Sequence, residues 1–160
     1  MRICICPGSF DPITYGHLDI IKKAAKIFDR VIVLVVINPA KRPAFTVKER
    51  LEMINIATED MPTVVSDCYD GLLVDYAKAV GACAIVKGLR GTSDFEYEFQ
   101  MALTNKKLCD SVETIFFNTS MYNMYLSSSV VRQVASFGGD ISGLVPKKLH
   151  GMIKERFKRE

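Results

Sequence analysis

Five short apolar runs, at residues 3–6, 31–37, 63–67, 83–86 and 113–118, alternate along the chain with stretches in which apolar residues recur every three or four positions. Strand patterns interleaved with helical ones leave few folds open: the strands lie parallel, each returns through a crossover helix, and helices cover the sheet. The 31–37 run is unbroken and rich in β-branched residues, as expected of a strand buried on both faces. In such an open sheet, ligands bind among the loops at the carboxyl ends of the strands. Candidate functional residues are therefore sought there.

The first helix is expected over 16–28, with Leu18, Ile21, Ala25 and Phe28 on one side. Thr46 and Glu49 read as a capping box opening a second helix whose apolar face carries Val47, Leu51, Ile54 and Ala57. A third helix spans 71–80, carries Leu72, Leu73, Tyr76 and Ala77, and ends at Gly81. Ser93 and Glu96 suggest another capping box, before a helix striped by Phe95, Phe99 and Ala102 and reaching toward Leu108. Ser127, Ser128 and Ser129 open a helix through Val130, Val131, Val134 and Phe137 that Gly138 and Gly139 stop. Pro146 fits the first turn of a last helix with Lys158 and Arg159 at its tail. The expected fold class is α/β, a Rossmann-like doubly wound five-stranded parallel sheet with helices on both faces. At 160 residues and 49% hydrophobic content, one domain over 1–160 is expected.

A net charge of +3, with acidic and basic residues nearly balanced, makes no case for a nucleic-acid surface. Local basic clusters still suit a small polyanion. Cys4, Cys6, Cys68, Cys83 and Cys109 form an odd set without metal-site spacing, expected to be reduced and buried. The chain passes from Met1 and Arg2 directly into a strand, so no signal peptide is expected. Its longest apolar run falls short of the roughly 20 residues a membrane helix needs. A cytoplasmic location away from membranes is the expectation.

Between the first strand and helix lies Pro7-Gly8-Ser9-Phe10-Asp11-Pro12-Ile13-Thr14-Tyr15-Gly16-His17. Gly8 would let the main chain approach a ligand, the prolines stiffen the turn, and Gly16 and His17 fall where free helix N–H groups favour an anion. Neither the dinucleotide fingerprint nor the P-loop pattern is present. Other carboxyl-end loops offer Lys41, Lys87 through Arg90, and Ser127 through Ser129. A site of cations and donors without an obvious protein nucleophile suits phosphoryl or nucleotidyl transfer.

The 7–17 turn resembles the Thr/His-x-Gly-His signature of the nucleotidylyltransferase superfamily, and in detail the bacterial phosphopantetheine adenylyltransferases. Lys87-Gly88-Leu89-Arg90 with Asp94-Phe95-Glu96-Tyr97-Glu98 is similar to that family's second signature, and Tyr125 through Arg132 resembles its C-terminal Ser-rich element. The resemblance implies transfer of AMP from ATP to 4′-phosphopantetheine, giving dephospho-coenzyme A and pyrophosphate. It implies that His17 and Ser9 contact the α-phosphate, and that Lys41 neutralises charge shared with the attacking phosphate. Arg90 and Ser127, Ser128 and Ser129 would hold the outer phosphates. Phe10, Gly88, Leu89 and Glu98 match positions around the nucleotide, as do Asn123, Met124, Tyr125 and Leu126 in the adenine loop. Leu73 and Lys87 match positions receiving the pantetheine substrate. Mg2+ would arrive with ATP rather than in a protein cage, and a homohexamer with feedback by coenzyme A is implied.

Two positions depart from the family pattern: Lys87 stands where relatives commonly have Arg, losing the bidentate fork, and Ser9 replaces the commoner Thr. Taken singly, each candidate also has an everyday use. Lys41 could be solvated, Arg90 could pair with Asp94, Glu98 could serve the helix dipole, and the serines could only cap a helix. The alternatives are a nucleotidylyltransferase acting on nicotinamide mononucleotide or glycerol 3-phosphate, against which the Asp94–Glu98 run argues, and a non-catalytic nucleotide or coenzyme A sensor; a class I aminoacyl-tRNA synthetase fragment shares the His signature, but a chain this short lacks room for tRNA-binding domains.

Overall fold

The computed structural model describes residues 1–40 and 42–158. Lys41 and Arg159 of the sequence reading lie outside the described residues. Five strands, β1 (Ile3–Gly8), β2 (Arg30–Val36), β3 (Val64–Tyr69), β4 (Ala84–Leu89) and β5 (Glu113–Asn118), form one parallel sheet in the order β3-β2-β1-β4-β5. The chain builds outward from β1 to β3, then crosses to β4 on the other side. That reversal opens a crevice above the carboxyl ends of β1 and β4.

Alternation along β1 explains the two layers. Cys4 and Cys6 point to one face, where they meet α1 (Tyr15–Ala25), α2 (Val47–Ala57), α5 (Ser128–Ser136) and α6 (His150–Arg156) through residues such as Ile21, Met53, Val131 and Ile153. Ile5 points to the other, where Ile32, Leu34 and Ile85 pack on α3 (Leu73–Val80) through Val74 and Ala77. Thr46 caps α2 with the expected reciprocal bonds to Glu49, and Gly81, at φ 65, ends α3 in the left-handed conformation that glycine tolerates.

Several boundaries differ from the expected ones. β1 continues through Pro7 and Gly8, which pair with Leu34 and Val35, so the turn begins only at Ser9. Likewise Lys87, Gly88 and Leu89 are strand residues paired with Phe116, Phe117 and Asn118 rather than loop residues. α1 stops at Ala25, because the Ile27 and Phe28 amides turn back onto the Ala24 carbonyl to redirect the chain into β2. α4 (Thr92–Leu108) starts one position before Ser93, with Gly91 at the cap and no side-chain capping bond from it, so Ser93 falls inside the helix rather than at its cap. Pro146 precedes a short 3₁₀ turn, Lys147–Leu149, rather than entering α6 itself.

The five cysteines are all free, but only Cys4, Cys6 and Cys109 are buried; Cys68 is half-buried and Cys83 exposed. Among the described residues no helix is long and apolar enough to cross a membrane.

Candidate active site

His17 is the third residue of α1, and its side chain completes the helix cap. The Thr14 hydroxyl accepts the His17 amide at 3.4 Å, while the Thr14 amide donates to Nδ1 of the ring at 3.0 Å. An imidazole thus fills the place usually held by Glu or Gln. A nitrogen that accepts from a backbone amide carries no proton, so the neutral ring bears its proton on Nε2. Burial, then the Arg90 charge, lowers the His17 pKa from 6.5 to about 4. The ring is therefore a neutral donor at physiological pH.

Phe10 supports the other side of that ring, edge-on with centroids 5.0 Å apart. Its backbone sits at φ 47, a costly conformation for an aromatic residue, and its side chain is buried. Gly8 makes this possible: a Cβ there would lie 3.0 Å from the Phe10 ring. The glycine thus admits the aromatic ring, where the sequence reading assigned it to ligand approach.

Asp11, also buried, ties the turn to its surroundings. Its two carboxylate oxygens accept the Ala44 and Phe45 amides, each at 2.9 Å, and Nη1 of Arg132 from α5 lies 3.2 Å from one of them. One carboxylate thereby joins the β1–α1 turn, the segment after β2 and the helix that begins with the serines. Ser128 adds a bond from its hydroxyl to the Pro12 carbonyl at 2.8 Å.

These loops enclose a cleft of about 1290 Å3 at the carboxyl edge of the sheet. Ser9, Phe10, His17, Leu73, Lys87, Gly88, Arg90, Glu98, Leu126 and Ser127 through Ser129 all border it. The everyday uses also hold in this state. Arg90 pairs with Asp94 at 3.0 Å and donates to the Leu126 carbonyl, Ser127 caps α5 through the Val130 amide, and Lys87 pairs with Glu98 at 3.1 Å. Leu89, Asn123, Met124 and Tyr125 do not border the cleft: Met124 and Tyr125 are exposed, and Asn123 donates to the Ser120 hydroxyl. Of the expected adenine-loop residues, Leu126 borders the cleft in this conformation.

Asp11, Arg132 and Arg50 were not among the expected site residues. Arg50 was legible, since it falls inside the apolar spacing of α2, where a charge is out of place. The role of Asp11 depends on partners 33, 34 and 121 positions away and carries no local signal.

A doubly wound sheet with a histidine and several cations around a switch-point cleft defines a nucleotide-transferring class of α/β protein. Residues 5–134 match the cytidylyltransferase-like family. The phosphopantetheine adenylyltransferase of Caldanaerobacter subterraneus subsp. tengcongensis is 58% identical over 159 residues, 99% of each chain. That of Clostridium novyi is 56% identical over 149 residues, 93% of this chain and 92% of the relative. The chain belongs to the cytidylyltransferase-like family and, within it, to the phosphopantetheine adenylyltransferases. In fold it is similar to a putative nicotinate-nucleotide adenylyltransferase from Vibrio parahaemolyticus, with a TM-score of 0.70 at 18% identity, covering 99% of this chain and 98% of that one.

Proposed function

We propose that this chain transfers AMP from ATP to 4′-phosphopantetheine. An oxygen of the acceptor phosphate attacks the α-phosphorus, the bond to the β-phosphate oxygen breaks, and pyrophosphate leaves with the bonding pair. The observation that carries this reading is the tautomer-locked His17 at the centre of a cation-lined cleft: its Nε2–H is a preorganised donor for charge developing on the α-phosphate. Ser9 and Lys41 assist there, Arg90 and Ser127 to Ser129 take the outer phosphates, and Leu73 and Lys87 receive the acceptor. Glu98 and Gly88 border the nucleotide.

Arg90 and Lys87 then exchange carboxylates for phosphates, releasing Asp94 and Glu98. Among the described residues no group of three His, Cys, Asp or Glu side chains could cage a metal. Mg2+ carried on the phosphates and water would neutralise triphosphate charge there.

The enzyme is proposed to work in the cytoplasm as a single-domain subunit of a homohexamer, with coenzyme A competing at the same cleft. Support for assembly comes from α4, where Phe95, Phe99 and Leu103 recur every four residues and all lie exposed.

Pyrophosphate release tests the activity. ATP with phosphopantetheine is expected to give rapid release. Faster release with nicotinamide mononucleotide, or with CTP and glycerol 3-phosphate, would reassign the acceptor, and a ligand-induced thermal shift without release would make the protein a sensor.

A further inference from the structure

Three of the cations bordering the cleft hold a carboxylate: Lys87 with Glu98, Arg90 with Asp94, and Arg132 with Asp11. Arg50, also on the cleft wall, holds none among the described residues. It is only 5% exposed, projects from α2 and uses Nη1 to donate to the Ser9 carbonyl at 3.0 Å. Its Nε is the one buried side-chain polar atom without a partner among the described residues. Nη2 likewise has no protein acceptor there.

Nε–H and Nη2–H lie on the same edge of a guanidinium, the edge that meets a phosphate or carboxylate through two parallel bonds. A buried charge without a counter-ion is strongly disfavoured, so an empty fork at a cleft wall is built for an anion. Its position selects which one. Its bond to the Ser9 carbonyl sets it beside the residue proposed above to assist at the attacking phosphate, whereas Arg90 and the serines are proposed to take the outer phosphates. An incoming phosphate also meets it without displacing a carboxylate.

We propose that Arg50 binds the phosphomonoester of the acceptor, its free edge taking two phosphate oxygens while its Nη1 bond keeps the Ser9 backbone in place. The inference rests on the reading above that the acceptor phosphate attacks the α-phosphorus beside Ser9.

The test is calorimetric binding of phosphopantetheine, pantetheine lacking the phosphate, ATP and inorganic phosphate to wild type, Arg50→Lys and Arg50→Gln. Arg50→Lys keeps the charge but loses the fork, which protects the test if Arg50→Gln fails to fold. Both folded variants are expected to bind phosphopantetheine at least tenfold more weakly, with pantetheine and ATP within twofold of wild type and inorganic phosphate weakened. Equal losses for phosphopantetheine and pantetheine would make Arg50 a wall residue, and a loss confined to ATP would place it with the triphosphate. Either outcome, or unchanged binding, overturns the proposal. A wild type that ignored phosphopantetheine yet bound inorganic phosphate through Arg50 would sink the acceptor's identity and leave Arg50 as a phosphate ligand.

Discussion

At His17 the local main chain decides the chemistry of a side chain. The Thr14 amide occupies Nδ1, and with the pKa lowered to about 4 the ring stays neutral through the range in which a free histidine titrates. Between pH 6.5 and 4 the unfolded chain binds more protons than the folded one. The contribution of this group to stability is therefore complete above pH 6.5 and lost as pH falls toward 4. Imidazole NMR of the free enzyme should show no titration of His17 between pH 7.5 and 5.5; a midpoint near 6.5 would refute the locked tautomer. Replacing His17 by Ala should lower kcat by ~10²–10³ with a smaller effect on ATP binding, as for loss of one transition-state donor. Turnover within a few-fold of wild type would remove the ring from the reaction.

At the scale of elements, the cleft depends on segments that are remote in sequence and joined through one buried acid. Asp11→Ala would leave the Phe45 amide without its acceptor and the Arg132 guanidinium without its counter-ion, costing on the order of 3 kcal/mol in urea unfolding. Thr46→Ala removes only a helix cap and should cost about 1 kcal/mol. If the two variants proved equally stable, Asp11 would not be the joint between these loops. Arg156 closes the same segment from outside, donating to the Ala44 carbonyl at 3.0 Å and lying over the Phe45 ring. The C-terminal helix thus reaches the site without touching a ligand.

For the whole molecule, the unusual feature is α4. It holds Glu98 against Lys87 of β4 and Asp94 against Arg90 just beyond that strand, yet leaves Phe95, Phe99 and Leu103 in water, the first two stacked 5.5 Å apart. A row of this kind suits self-association. Light scattering should find wild type assembled, and Leu103→Asp, which lies away from the cleft wall, should shift it to smaller species while the fold persists. A wild type that stays monomeric at micromolar concentration would refute the proposed interface.

Alternation of strand and helix was readable because it is a local, periodic property: the 31–37 run, the Thr46 capping box and the Gly81 stop all appear within a degree of precision of one or two residues. The turn carrying Ser9 and His17 was readable for the same reason, since its residue types are demanded by backbone conformation. Exposure was not. The 95–99–102 stripe reads as one apolar helix face, and only the sheet's placement of α4 leaves Phe95 and Phe99 outside. Partner choice was hidden as well, because hydrogen bonds and ion pairs form between whatever groups the fold brings within about 3 Å. Asp11 with Ala44, Phe45 and Arg132, and Arg50 with nothing but the Ser9 carbonyl among the described residues, are decisions of the tertiary structure.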